Sequence, residues 1–229
     1  MRKAVTDNAA LVGASAVLTG NVVNVSIFKE VWLERHDIIR KDEYTSDTLV
    51  SPGAVRVSTA SFELTILLNR IQVRFSPPGY DSARFDVLRV LGGIAELLPH
   101  TPYTGLGLNF HYVVAPPVGE DFWKWDRAVF AAPWALAVDQ GDGASPRFGS
   151  YFSLDALGAR LRISIKPTNT FPNVGDFLEG RSKGDDLMLA DFNYHHELRD
   201  STEPEDIKTI LRGWEDAFEH SARVVCGIS

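Results

Sequence analysis

The stretch Leu187–Leu198, LMLADFNYHHEL, alternates apolar and polar residues with the two-residue period of a half-buried strand. Met188, Ala190, Phe192, Tyr194, His196 and Leu198 form a mostly apolar face. Leu187, Leu189, Asp191, Asn193, His195 and Glu197 form the other, which turns polar along its length. Leu106–Val114, LGLNFHYVV, echoes this stretch, with Leu106, Leu108, Phe110, Tyr112 and Val114 on one face and Asn109 and His111 on the other. Both carry Asn–aromatic–His, and each has a long helical pattern beside it. This implies two related strand-and-helix halves that superpose Asn109 on Asn193 and His111 on His195. Pro116-Pro117-Val118-Gly119 is the joint, giving halves 1–117 and 118–229 in one compact unit.

Along the chain, residues 10–18 and 22–28 read as strands joined at Thr19-Gly20-Asn21, and Phe28–Ile39 as a short helix. Arg40–Gly53 is charged and reads as a loop. Strands follow around Val55 and Val57, over Phe62–Leu68, and over Ile71–Phe75. Asp81–Leu98 is a long helix whose Gly92-Gly93 needs close packing, expected against the sheet, to offset its poor helix propensity. Glu120–Ala132 is a short helix, and Phe148–Leu154 with Arg160–Lys166 is a hairpin. Asp139–Pro146 and Pro167–Gly184 read as loops. Thr202-Glu203-Pro204-Glu205 fits a capping box with Thr202 as the cap, opening one helix to about residue 225. The fold class is therefore α+β: a mostly antiparallel sheet with two long helices packed on one face.

The length of 229 residues is ample for a sizeable core. A net charge of −7 argues against nucleic acid, which needs a basic footprint. No apolar run is long enough for a membrane span, and Met1-Arg2-Lys3 with Ala9–Leu18 reads as the approach to a strand rather than as a signal peptide. The lone Cys226 excludes an intrachain disulfide; it falls on the apolar edge of the last helix as a buried, inert thiol. These features fit a cytoplasmic protein.

The polar sides of the strands carry Gln72, Arg74, Asn109, His111, Arg160, Arg162, Asp191, Asn193 and His195. If the strands share one sheet, these cluster opposite the helices. Of this set Arg74, Asn109, His111, Arg162, Asp191, Asn193 and His195 are the candidate ligand or partner surface. An ordinary solvated sheet face gives the same pattern. Histidine with a carboxylate can also bind metal or move protons, so the alternative is a metal-assisted hydrolase using His111, Asp191 and His195. His195 and His196 point to opposite faces and cannot easily share one metal. No H-E-x-x-H, phosphate-binding loop or nucleophile elbow is present, and no motif calls for a cofactor. Trp123, Trp125 and Trp134 serve as core or as a partner surface.

A helix and proline-containing turn, then Gly107-Leu108-Asn109-Phe110 in a strand, precede the late strand Leu189-Ala190-Asp191-Phe192-Asn193 and a terminal helix. This order, over roughly residues 60–115 and 150–225, resembles a sporadic family of uncharacterised bacterial proteins of about this size. That family more often has Arg-Tyr where this chain has Asn109-Phe110. The resemblance implies a bacterial origin and assigns no activity and no catalytic residue. The reading is a binding or protein-interaction module without intrinsic catalysis, with a protein partner or self-association as a homodimer.

Overall fold

A computed structural model describes residues 4–46, 48–76, 79–131, 147–168, 186–199 and 202–228. Its strands are β1 (Ala4–Thr6), β2 (Ala9–Gly20), β3 (Leu49–Ser51), β4 (Ala54–Ser58), β5 (Phe62–Leu67), β6 (Arg70–Phe75), β7 (Tyr103–Val114), β8 (Ser150–Ala156), β9 (Ala159–Thr168) and β10 (Leu187–Glu197). They form one antiparallel sheet in the order β3-β4-β5-β6-β2-β7-β10-β9-β8, with β1 beside the start of β2. The helices are α1 (Glu30–Arg35), α2 (Ala83–Val87), α3 (Gly93–Leu97), α4 (Phe122–Phe130), α5 (Pro204–Arg212) and α6 (Trp214–Cys226).

The two-residue period places one set of strand side chains in the core. Leu64 and Ile66 of β5, Ile71 and Val73 of β6, Leu108, Phe110 and Tyr112 of β7, and Phe192 and Tyr194 of β10 are all buried together. The terminal helical segment closes over them. Trp214 stacks against Phe110 at 4.9 Å and Phe75 at 5.5 Å, and Phe218 against Phe110 at 5.9 Å. Two polar ties fix α6 on the sheet: Tyr112 Oη with Ser221 Oγ at 2.6 Å, and Tyr194 Oη with His220 Nδ1 at 2.8 Å.

The expected long helices are interrupted. α2 and α3 are joined by one wide π turn over Leu88–Gly92. Its glycines meet other helices and loops rather than the sheet. A Cβ on Gly92 would lie 3.2 Å from Lys208 in α5, and one on Gly93 would lie 2.8 Å from Ile38. The last helix divides at Gly213 into α5 and α6. Its N-cap is Glu203 rather than Thr202; the Asp206 carboxylate accepts from the Glu203 N–H at 3.0 Å, and Pro204 sits where no N–H is needed. Cys226 is exposed, because Val225 takes the inward position.

Residues 22–28 do not form the expected strand. The Asn24 side chain accepts from the Ser26 N–H at 3.2 Å and caps a single 3-10 turn over Val25–Ile27. Val23, Val25 and Phe28 bury themselves by this path instead. The charged 40–53 segment contains the short strand β3, whose exposed side chains left no alternation to read. Residues 139–146 and nearly all of 167–184, read as loops, lie outside the described residues, as does Trp134. Trp125 is buried and Trp123 packs at the edge of the core.

Candidate functional site

The site begins with register, because residues directly opposite one another in an antiparallel pair share a face. One row on the face away from α6 runs Ser58, Glu63, Arg74, Ser15, Asn109, Asn193, Arg162, Ser153 across β4, β5, β6, β2, β7, β10, β9 and β8. The next row toward one end contains Gln72, Val17, Gly107, His195 and Arg160. The row on the other side contains Gly13, His111, Asp191 and Ser164. All seven candidate residues thus share one face and three adjacent rows.

The two Asn–aromatic–His segments are paired with each other. β7 and β10 are antiparallel neighbours, so Asn109 stands opposite Asn193 but His111 stands opposite Asp191 and His195 opposite Gly107. The asparagines are hydrogen-bonded, Asn193 Nδ2 donating to Asn109 Oδ1. Asn109 Nδ2 lies 3.4 Å from both the carbonyl and the hydroxyl of Ser15. A polar chain therefore crosses β10, β7 and β2 at the middle of the sheet.

His111 Nδ1 meets Asp191 Oδ1 at 2.6 Å, and Lys166 Nζ lies 3.6 Å from Asp191 Oδ2. Burial pushes the Asp191 carboxyl up, but the His111 hydrogen bond and charge, with the Lys166 ammonium, outweigh it and hold the group below the usual carboxylate range. With Nδ1 tied to the carboxylate, the other ring nitrogen of the half-exposed His111 is left for a hydrogen bond or a proton. His195 does not join this pair. It stands four residues from Asp191 along β10, about 13 Å at strand rise.

Glycines make the space. A Cβ on Gly13 would come 3.1 Å from the His111 ring, one on Gly107 3.3 Å from Asn193 Nδ2, and one on Gly105 2.8 Å from the His195 ring. The polar side chains thus lie down over bare backbone in β2 and β7. Sequence reasoning missed Gly13, Ser15, Gly107 and Lys166. The legible signal was the glycine at alternate positions in GLGLN, which marks close approach of other atoms to a strand.

The face is not polar throughout. β2 bulges at Val12, where the register passes from Leu11 opposite Tyr112 to Gly13 opposite His111. Val12 packs there with Val113, Ala115, Leu187 and Leu189 in a small apolar cluster separate from the main core. Among the described residues no group of three or more His, Cys, Asp or Glu side chains is placed to hold a metal ion. No described helix is long and apolar enough to cross a membrane. No protein-family model matches the chain, and no curated protein matches it significantly.

Proposed function

We propose that this chain is a binding module without catalysis of its own, and that its contact surface is the polar sheet face centred on Ser15, Asn109 and Asn193. The observation that carries the reading is the shared register of Arg74, Asn109, His111, Arg162, Asp191, Asn193 and His195. Arg74 and Arg162 are exposed at either side of the asparagine pair and make no hydrogen bond or ion pair to other described residues. They are four strand spacings apart, about 19 Å.

The chemistry of the partner follows from charge. Arg56, Arg70, Arg74, Arg160, Arg162 and Lys166 stand on this face against Glu63, Asp155, Asp191 and Glu197, a basic excess on a chain whose net charge is −7. The face therefore favours an acidic protein segment over a second copy of itself. Fluorescence anisotropy with a labelled deca-glutamate peptide tests this. Binding should weaken steadily with salt and be lost in the double variant Arg74→Glu, Arg162→Glu. Equal binding by wild type and variant would remove the face from consideration.

We further read the fold as two related halves joined along β2 and β7, with the helical segments after β6 and β10 on the same face. The strand order supports this: β4-β5-β6-β2 on one side of the junction is matched by β8-β9-β10-β7 on the other. The boundary between halves then falls before β7, not at residue 117.

The metal-assisted hydrolase remains the second reading, on the strength of the 2.6 Å His111–Asp191 contact. It requires a further ligand, and the distance to His195 weighs against that residue supplying it. Elemental analysis of the purified protein decides between the two. One equivalent of zinc, lost in His195→Ala, would favour the enzyme; less than a tenth of an equivalent after purification without chelator would favour the module.

A further inference from the structure

On the other side of the sheet, a cleft of about 370 Å³ lies between the β8–β9 hairpin and the junction of α5 with α6. That volume falls within the range of small-molecule sites. Its floor is apolar, formed by Leu108, Tyr194 and Ala217, all essentially without solvent exposure. Ile210 makes one wall. The division of the terminal helix at Gly213 opens the space, since Gly213 itself lines it. Three polar side chains interrupt the apolar lining: His196, on the core-facing side of β10, Thr209 of α5, whose hydroxyl donates to the Glu205 carbonyl at 2.9 Å, and Asp216, in the first turn of α6.

The lip of the cleft carries an independent signal. Ala156 and Ala159 are joined by a two-residue turn in which Leu157 has φ 54° and Gly158 φ 72°. A turn with both central residues left-handed favours Asn-Gly, and a leucine there is strained. Burial does not repay the strain, because Leu157 is 51% exposed. Phe152 and Leu154 continue the apolar surface along the same side of the hairpin, at 50% and 42% exposure. A chain that keeps leucine at a strained, solvent-facing position beside an open cleft is presenting it to something.

We propose that this cleft binds a small hydrophobic amine, with its apolar body against Ile210 and Leu157 above the buried floor and its ammonium group on Asp216. Asp216 is exposed and makes no hydrogen bond or ion pair to other described residues, so its carboxylate is available at the mouth. His196 offers an imidazole hydrogen bond deeper in the cleft. Burial, with the neighbouring His195 charge, lowers its pKa and keeps it neutral beside an incoming cation. The site is separate from the polar sheet face, and its fate does not depend on the contact reading.

Three indole probes of nearly equal shape separate the contributions: tryptamine, tryptophol and indole-3-propionate. Isothermal titration and protein-observed NMR should show tryptamine binding roughly threefold tighter than tryptophol, the scale of one exposed ion pair, and the propionate weakest. Asp216→Asn should bring tryptamine and tryptophol to parity. Ala217→Leu should abolish binding of all three by filling the floor. In case that variant folds poorly, Leu157→Asn provides a second arm. It relieves the turn and should raise the urea midpoint while weakening tryptamine several-fold. Failure of the wild type to bind tryptamine at millimolar concentration overturns the site, as does unchanged binding in Leu157→Asn. Equal affinity for amine, alcohol and acid overturns the assignment of Asp216.

Discussion

At the scale of single residues, the two adjacent histidines of β10 are in opposite circumstances. His195 lies on the open polar face over Gly105, while His196 points inward and is partly buried. Burial, then the His195 charge, lower the His196 pKa below its ordinary 6.5. The unfolded chain therefore takes up a proton that the folded chain resists. The stability this neutral imidazole contributes is present above about pH 6.5 and is lost as the pH falls below it. Urea melts of wild type at pH 7.5 and 5.5 should show the loss, and His196→Gln should reduce it. Parallel losses in the two proteins would mean that other groups set the pH response.

At the scale of elements, α6 is the main clasp on the sheet. Trp214 is 3% exposed and touches aromatic rings from both β6 and β7. Trp214→Ala should cost roughly 3–5 kcal/mol in urea melts; a loss below about 1 kcal/mol would make the helix peripheral. This role was legible in the sequence, because Ile207, Leu211, Trp214 and Phe218 recur at helical spacing. The break at Gly213 was not, since the apolar stripe continues across it while the backbone is interrupted. β5, β6, β7, β9 and β10 could be read from alternation. Val23, Val25 and Ile27 alternate equally well, yet Asn24 satisfies its local backbone and draws the segment into a turn. The facing of the seven site residues was visible from period two alone. Their pairing was not: nothing local to β7 or β10 says that His111 meets Asp191, because register is fixed by contacts about eighty residues apart in sequence.

At the scale of the whole molecule, charge is distributed unevenly. Among the described residues the acidic excess lies away from the polar sheet face, where Arg74 and Arg162, without an ion pair to other described residues, flank neutral Ser15, Asn109 and Asn193. A protein so divided should orient as it approaches a charged partner, and the association rate should fall with ionic strength more than the dissociation rate rises. Stopped-flow mixing with the deca-glutamate peptide at several salt concentrations measures both. A salt effect confined to dissociation would mean that local contacts dominate and the asymmetry has no long-range role.

The central position of β2 also bears on how the chain reaches this state. β2 is synthesised before β6 and β7, the strands that flank it over most of its length. On a ribosome, β6 can dock first, but the second edge of β2 stays open until β7 emerges, and β7 then waits for β10. Each long strand passes through a period with unsatisfied backbone groups and an uncovered apolar face, the conditions under which strands join the wrong chain. Pairings this distant in sequence also slow the search, so refolding on the order of milliseconds to seconds is expected. A fragment ending near residue 100 should self-associate while the complete chain does not, and light scattering during refolding would reveal it. A fragment that stays monomeric would show that β2 tolerates its open edge.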